Sequence, residues 1–293
     1  MRYFKLHKDK SKCWWCGSSD LTGEHKMKKT ELELLYGKVY PKGNSINHIK
    51  YKNESKGMNI QSSNSDRVKF EKNLCKNCNG SKSQDFDIAY QKLIEFYYKN
   101  RVQIKLSRII NLEEVFGTNW ELEYLNVKRY IGKHIGCRMS EIGLLPSRNL
   151  IAFLNGEEHN FDLKIFFQLK PYFIGKINEP IDSIFMGPTS PINKSIFKFK
   201  NLVTSFCGWY TVANFSWNYL HEDSISKNTK ICKIIHLEFV DYKNLEGEVF
   251  SLNKDSLMSD WSNILDKLEY YPFNHGDRNI DYYNYVKNIV TNN

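Results

Sequence analysis

The sequence predicts an α+β fold, with a small strand–strand–helix unit near the N-terminus, then a helical segment, then a β-rich C-terminal region. Three observations lead to this prediction. Two C-x2-C pairs, Cys13–Cys16 and Cys75–Cys78, bracket the first unit. Helical patterning fills most of residues 78–138. Strand-like segments punctuated by Pro and Gly follow residue 150.

Length and composition indicate a folded protein with two domains. The chain has 293 residues, 41% of them hydrophobic and 14% aromatic, which is enough for a substantial core. We expect domains at 1–110 and 111–293. No stretch resembles a secretion signal or approaches the 18 or more apolar residues of a membrane span, so we expect a soluble, cytoplasmic protein.

The first elements surround the first cysteine pair. Residues 13–29 predict a knuckle, a turn, and a short strand that delivers Glu24 and His25. Apolar residues on one face predict a helix from Thr30 to Tyr36. Residues 38–66 are polar and predict a long loop or a partly disordered insertion.

The second cysteine pair follows a predicted strand. Polar and apolar residues alternate from Arg67 to Glu71, and a helix is predicted from Cys78 to about Asn100. Strand, loop, strand and helix, with cysteines at the first turn and at the helix start, form a ββα unit. Helical character should continue through Val102–Arg138, with breaks near Gly117-Thr118 and at Gly132–Gly136.

The C-terminal region predicts a mixed or antiparallel sheet. Its segments are rich in aromatic and β-branched residues, which favour strands. They are Leu163–Leu169, Ser195–Lys200, Gly208–Phe215 and Ile231–Phe239. This region contains no motif that indicates a particular chemistry.

The paired cysteines predict a structural zinc site. Each C-x2-C knuckle can supply two thiolates, so Cys13, Cys16, Cys75 and Cys78 complete a tetrahedral set. A redox pair is the alternative, but such motifs stand alone before a helix in a thioredoxin-like pattern. Three further cysteines bring the total to seven, an odd number that argues against a disulfide framework. We expect Cys137, Cys207 and Cys232 to be small buried apolar residues.

The positive charge is concentrated in the same part of the chain as these cysteines. The net charge is +9 overall, +12 over residues 1–110 and −3 over residues 111–293. Such an excess is typical of proteins that bind a polyanion. A generally Lys-rich composition is the alternative, and charge alone does not separate the two interpretations.

Three groups near the cysteines are the minimum for metal-assisted cleavage of a phosphodiester: the carboxylate of Glu24, the imidazole of His25 and the carboxamide of Asn79. A neutral His25 imidazole could take a proton from water. Asn79 either caps a helix or offers a neutral oxygen ligand of the kind that Mg²⁺ accepts. Lys82 and Ser83 would share a helical face with Asn79 and could contact phosphate.

These residues resemble the HNH endonucleases, also called His-Me finger or ββα-metal nucleases. The match consists of Cys13-x2-Cys16, then Glu24-His25, then Leu74-Cys75-x2-Cys78-Asn79-x2-Lys82-Ser83 and Asp87. It is similar to the zinc-stapled type that includes endonuclease VII, and it covers about residues 10–90. The chain differs from the common pattern in having Glu before the His, a long insertion before the second strand, and Asn in place of the last His.

The resemblance implies a role for each matching residue. His25 would be the general base, and Glu24 and Asn79 would bind a catalytic Mg²⁺ or Mn²⁺. Asp87 is a further possible metal ligand, with a purely structural helical role as the alternative. The residues expected to contact nucleic-acid phosphates are Lys26, Lys28, Lys29, Lys82 and Ser83.

The resemblance thus implies a metal-dependent endonuclease acting on DNA, of a kind often found in restriction or anti-phage defence. Two alternatives stay open: a non-catalytic zinc-dependent nucleic-acid-binding protein, and a nuclease that acts on RNA. Residues 111–293 would regulate or target the nuclease, contact a partner protein, or form a homo-oligomer. A scaffold that merely completes the fold is the simpler role for them.

Overall fold

The computed structural model describes residues 5–6, 9–36, 38, 46–48, 58–60, 62–158, 163–169, 184–186, 190–191, 205–212, 215–222 and 231–239. Helices dominate the middle of the chain and short strands lie on both sides of it. The helices are α1 (Lys29–Tyr36), α2 (Lys76–Asn79), α3 (Gln84–Ser107), α4 (Leu112–Phe116), α5 (Trp120–Glu141) and α6 (Arg148–Asn155). Short 3-10 helices occupy Asp66–Val68, Ser81–Ser83 and Gly117–Asn119.

The strands form one larger sheet and four two-stranded pairs within the described residues. In chain order they are β1 (Lys5–Leu6), β2 (Leu21–Thr22), β3 (Ile46–His48), β4 (Met58–Ile60), β5 (Leu74–Cys75), β6 (Ile109–Asn111), β7 (Leu144–Leu145), β8 (Leu163–Leu169), β9 (Ile184–Met186), β10 (Ser190–Pro191), β11 (Ser205–Val212), β12 (Phe215–Glu222), β13 (Ile234–His236) and β14 (Glu238–Phe239). The mixture of helix and strand confirms the predicted α+β composition.

The larger sheet has the order β10-β11-β12-β8-β14, with β9 also paired to β11. Its neighbours are antiparallel except β14, which runs parallel to β8, so the predicted mixed sheet is confirmed. The antiparallel two-stranded pairs are β1-β7, β2-β5, β3-β4 and β13-β6. The predicted strand at Ser195–Lys200 lies outside the described residues.

Helix α5 is the centre of the core. Every residue from Asn126 to Ser140 except Lys128 is buried. The helix packs along α3, where the rings of Tyr90 and Tyr130 stack with centroids 3.9 Å apart. Strands β8 and β12 add to the same core, and the ring of Phe215 lies 4.9 Å from that of Tyr97. The core therefore crosses residue 110, and the division of the chain at that position stays a prediction.

The glycine pair in α5 does not break the helix, so the break predicted at Gly132–Gly136 is wrong. A Cβ on Gly132 would lie 3.1 Å from Cδ1 of Leu150, and one on Gly136 would lie 2.3 Å from Cη2 of Trp14. These glycines allow neighbouring elements to approach the helix closely, and that packing outweighs their poor helix propensity. The break near Gly117 is confirmed, since α4 ends there and Gly117 has φ +69°.

Two other predicted elements differ in detail. The helix from residue 78 onward is interrupted at Arg108, which adopts φ 59°, and β6 follows it and pairs with β13. The segment Arg67–Glu71 forms only a bridge between Lys69 and His25, because residues 66–68 turn in a 3-10 helix.

The predicted loop at residues 38–66 contains the β3-β4 pair in its described part. The helix predicted at Thr30–Tyr36 is confirmed as α1.

Candidate metal centre and active site

Four cysteine sulfurs converge at one point. The Sγ atoms of Cys13, Cys16, Cys75 and Cys78 all lie within 4.8 Å of one another, and those of Cys16 and Cys75 are 3.5 Å apart. A tetrahedral zinc ion with bonds of about 2.3 Å holds its sulfurs about 3.8 Å apart, so this cluster fits zinc. The structure confirms a possible four-cysteine metal site at the predicted positions.

Backbone hydrogen bonds shape both knuckles. The amides of Cys13 and Gly17 bond to the carbonyl oxygens of Ser18 and Cys13, at 2.7 and 2.8 Å, and close the first turn. In the second knuckle Cys75 is the N-cap of α2, and its sulfur accepts a hydrogen bond from the Cys78 amide at 3.4 Å. Strands β2 and β5 pair Leu21 with Cys75, which brings the two knuckles together.

Hydrogen bonding within the cluster favours ionisation of one sulfur, that of Cys13, whereas burial raises the pKa of Cys16. The bond from the Cys78 thiol lowers the pKa of Cys13 to about 4, and the same bond raises the pKa of Cys78. A thiolate is the form that binds metal. Outside the cluster, Cys137 is buried as expected, whereas Cys232 is exposed, so the expectation of burial is wrong for Cys232.

Two tryptophans between the first pair of cysteines join the metal centre to the helices. The Trp14 ring lies against Gly136 of α5. The Trp15 indole donates a hydrogen bond to Asn155 Oδ1 at the end of α6, at 3.0 Å. Lys82 donates to the same oxygen at 2.7 Å and lies 4.5 Å from the centre of the Trp15 ring. Both tryptophans are buried, so they support the knuckle.

His25 lies on the irregular continuation of the β2-β5 pair. Lys26 donates its amide to the carbonyl of Val68, and Phe70 donates to that of Glu24, at 2.6 and 2.7 Å. The Nε2 atom of His25 is 3.2 Å from the Ser63 carbonyl oxygen. Because a carbonyl only accepts, Nε2 carries the proton in this bond and the neutral ring has its lone pair on Nδ1.

The environment of His25 favours the neutral ring. Burial lowers its pKa below the ordinary value, and the positive charge of Lys69 lowers it further. A neutral imidazole with a free Nδ1 lone pair can act as a base. In the described part of the chain, the His25 ring hydrogen-bonds to Ser63 and not to Glu24 or Asn79.

Asn79 connects the end of α2 to the strand that carries Glu24. Its Nδ2 donates to Thr22 Oγ1 at 3.0 Å and to the Gly23 carbonyl at 3.4 Å. Its Oδ1 is buried and has no hydrogen-bond partner among the described residues. A buried carbonyl oxygen left unbonded is unusual, and it fits a role as an oxygen ligand for a cation.

Glu24 and Asp87 share a buried lysine from α5. Lys133 Nζ lies 3.2 Å from Glu24 Oε1 and 2.9 Å from Asp87 Oδ2, and it donates to Ser83 Oγ at 3.2 Å. The Lys133 side chain is 1% exposed. Lys28 lies 3.8 Å from the other Asp87 oxygen, Oδ1. We call Glu24, Lys28, Asp87 and Lys133 the carboxylate–ammonium cluster.

Burial and charge oppose each other in this cluster: burial sets the direction of the pKa shift for Glu24 and Lys28, and the neighbouring carboxylates set it for Lys133. Burial alone would lower the pKa of Lys133, but Glu24 and Asp87 outweigh it and raise that pKa, so the lysine is charged. Burial raises the pKa of Glu24 against the opposing effect of Lys133. Both oxygens of Asp87 face ammonium groups, which suits an ion-pair partner better than a metal ligand.

The residues predicted to contact phosphate lie in different environments. The ammonium of Lys26 pairs with Glu141, and that of Lys28 pairs with Asp87, so both are directed toward carboxylates of the protein. Lys29 pairs with Glu33 at 3.7 Å and is about half exposed. Lys82 is exposed beside Trp15, and Ser83 is fully buried under Lys133.

Sequence reasoning did not identify Lys133 as part of the site. It lies far from the cysteine pairs along the chain and outside the motif. The available signal was its context, because Lys133 and His134 interrupt the largely apolar run Tyr130-Ile-Gly-Lys-His-Ile-Gly-Cys137 on a predicted helix. A lysine in such a run is buried only if it is paired.

Comparisons with protein-family models, with curated proteins and with solved structures find no match to this chain. Among the helices that the structure describes, none has the length and apolar character needed to cross a membrane.

Proposed function

We propose that this protein is a metal-dependent endonuclease of the HNH type that hydrolyses phosphodiester bonds in DNA. In this proposal residues 13–107 form the zinc-stapled ββα-metal module, with His25 as the base and Glu24 and Asn79 as metal ligands. The role in restriction or anti-phage defence rests on the sequence resemblance described above.

The observation that carries the proposal is the placement of Asn79 beside the Glu24-His25 strand. Its amide nitrogen is tied to Thr22 and Gly23, while its Oδ1 is buried without a partner in the described residues. A residue that only capped a helix would bond that oxygen to a backbone amide. The free oxygen is therefore better explained by a ligand role.

His25 is arranged to act as a general base. The Ser63 carbonyl holds Nε2–H, which fixes the ring and leaves Nδ1 to take a proton from an attacking water. The lowered pKa of His25 keeps that nitrogen unprotonated near neutral pH. Neither feature is needed by a domain that only binds nucleic acid.

Glu24 and Asn79 provide the kinds of oxygen that Mg²⁺ or Mn²⁺ accepts, one carboxylate and one amide. A divalent ion held there would supply Lewis-acid stabilisation of the charge that develops on the phosphate. The exposed ammonium groups of Lys29 and Lys82 would hold the flanking phosphates without reading base sequence. The excess of +12 over residues 1–110 supports a polyanionic substrate.

A zinc-dependent nucleic-acid-binding protein without catalytic activity is the second candidate. The observation in its favour is that Lys133 already neutralises Glu24, while Lys26 and Lys28 are paired with protein carboxylates. In that case the cluster would serve only to join α5 to the zinc module.

A cleavage assay on plasmid DNA and on RNA separates these candidates. The wild type should nick or cut DNA in Mg²⁺ or Mn²⁺ and be inactive in EDTA. His25→Ala should reduce the rate by about 10²-fold or more while DNA affinity is retained. His236→Ala, at an exposed histidine of β13, is the matched control. Binding of DNA without cleavage in either metal would support the second candidate, and preferential cleavage of RNA would change the substrate.

A further inference from the structure

The buried ammonium of Lys133 is the feature that the proposed function does not use. It lies between the carboxylates of Glu24 and Asp87 and also bonds to Ser83 Oγ, so it has three oxygen partners within 3.2 Å. Three oxygens around a buried positive charge resemble the environment that a metal ion would have. Lys133 thus places a permanent cation next to one of the two proposed metal ligands.

We propose that Lys133 is the resident cation of the site, which positions Glu24 and makes the binding of a divalent ion depend on the substrate phosphate. This inference rests on the proposed function for the identity of that phosphate. Lys133 is a positioning residue, because it acts on the reaction only through its contact with Glu24.

The electrostatic reason is the balance of charges in the cluster. Lys28 and Lys133 offset Glu24 and Asp87, and the nearby Glu31 carboxylate accepts a hydrogen bond from Tyr90. A divalent ion at Glu24 would meet the repulsion of a lysine 3.2 Å from the same carboxylate. In a buried site such repulsion is weakly screened. A phosphodiester brings a negative charge that offsets it, so ion and phosphate should bind together.

The helical position of Lys133 explains why it cannot withdraw easily. It lies in the middle of α5, in a stretch where the neighbouring residues from Arg129 to Ser140 are all buried. Removing a buried ammonium leaves two carboxylates close together, a strongly unfavourable arrangement that a divalent ion could relieve.

Mn²⁺ binding measured by electron paramagnetic resonance tests the inference without relying on cleavage. The full-length zinc-loaded protein carries His25→Ala so that DNA stays intact, and it is titrated with Mn²⁺ with and without a short DNA duplex. Mn²⁺ bound by the duplex alone is subtracted. We expect the affinity for Mn²⁺ to be at least about tenfold higher with DNA, and Lys133→Met to raise the DNA-free affinity by about tenfold.

Two further variants identify the cause. Lys92→Met removes another lysine that joins α3 to α5, through Glu123 at 2.7 Å, and it should leave Mn²⁺ affinity unchanged. Adding Glu24→Gln to Lys133→Met should abolish the gained affinity, because the gained site would include Glu24. If the His25→Ala protein binds Mn²⁺ with equal affinity in the presence and absence of DNA, the inference is overturned. This outcome does not depend on whether Lys133→Met folds. A folded Lys133→Met protein whose DNA-free affinity is unchanged overturns it as well.

The two proposals fail in different ways. If the protein does not cleave nucleic acid, the proposed function is wrong, yet a gain of DNA-free Mn²⁺ affinity in Lys133→Met would still show that the lysine opposes a divalent ion. If cleavage requires His25, but the affinity for Mn²⁺ is the same with or without DNA and with or without Lys133, only the inference is wrong.

Discussion

Single residues in this molecule anchor one side-chain atom and leave another without a protein partner among the described residues. Asn79 uses its amide nitrogen to fasten the end of α2 to Thr22 and Gly23, and its oxygen is left buried without a partner in the described residues. His25 uses Nε2 for the Ser63 carbonyl, and in the proposed function Nδ1 is the atom that acts as the base. In both side chains one atom is anchored, which orients the other at little entropic cost.

We predict that Asn79→Ala raises the half-saturating Mg²⁺ concentration for cleavage by about tenfold or more, because a ligand oxygen is lost. Activity should recover in part as Mg²⁺ is increased, since His25 is still present. The measurement is the cleavage rate as a function of Mg²⁺ concentration. Asn77→Ala is the matched control, because the exposed Asn77 side chain only accepts a bond from Ser81. An unchanged Mg²⁺ dependence in Asn79→Ala would contradict the ligand role.

The residues near the cysteines could be predicted because their chemistry is local in sequence. The thiolate spacing and the Glu24-His25 dipeptide are readable without a fold. Lys133 could not be assigned in the same way, because its partners Glu24 and Asp87 become neighbours only after α5 packs against α3. The orphaned Asn79 oxygen likewise depends on which face of α2 meets the strand.

At the scale of elements, helix α5 packs tightly against the first knuckle at Gly136. Among the described glycines, this is the position where an added Cβ would lie nearest to a neighbouring atom. A Cβ at position 136 would come within 2.3 Å of the Trp14 ring, and Trp14 lies between two cysteines of the four-cysteine cluster. The predicted helix break at these glycines followed from propensity alone. Tertiary packing reversed it, as is common for weak local preferences.

We predict that Gly136→Ala lowers the free energy of unfolding by about 1–3 kcal/mol, because the methyl group would overpack a rigid ring. Gly132→Ala is the matched control on the same helix. Its methyl would meet Cδ1 of Leu150 at 3.1 Å, and that flexible atom can move aside while the helix gains about 1 kcal/mol in propensity. Urea denaturation of both variants checks this. Equal destabilisation of the two variants would show that contact with the Trp14 ring does not restrict the size of the residue at position 136.

We predict that the four-cysteine cluster binds one zinc and that removal of this zinc unfolds the two knuckles and their strand pair. The β2-β5 pair has only two residues in each strand, so it has little stability without the metal. Elemental analysis should find one zinc per chain, and chelation should change the fluorescence of Trp14 and Trp15, which lose their buried positions. A protein that contains no zinc when purified, or whose tryptophan emission ignores chelation, would contradict the assignment of the cluster.

At the scale of the whole molecule, one described core spans residues predicted to belong to two domains. Buried apolar residues run from Cys13 to Leu237. Helix α5 contributes to each part of this core. Its Tyr130 stacks on Tyr90, its Gly136 lies against the Trp14 ring, and its Lys133 belongs to the carboxylate–ammonium cluster. The mixed composition was predictable from local patterns, as were the approximate positions of strands β8, β11, β13 and β14. The assembly of the core was not, because it depends on contacts between residues distant in sequence.

We therefore predict that a fragment of residues 1–110 is insoluble or unfolded, because it lacks α5. A fragment of residues 1–158 keeps α5 and α6 and should retain more zinc and more helical signal. Zinc content and thermal unfolding followed by circular dichroism compare the two. A soluble, zinc-loaded fragment 1–110 with a cooperative transition would contradict this. In that case, the regulatory role expected for residues 111–293 could be tested by comparing cleavage by the fragment and by the full-length chain.

The contact of Trp14 with Gly136 also carries an evolutionary consequence. The two positions are joined by steric exclusion, so neither can change independently without cost to stability. In any set of homologous sequences the two positions should covary. A chain with a larger residue at 136 should have a smaller one at 14, and a chain that keeps Trp at 14 should keep Gly at 136. The pair is thus a marker by which distant relatives of this fold could be recognised, independently of the residues assigned to the proposed site.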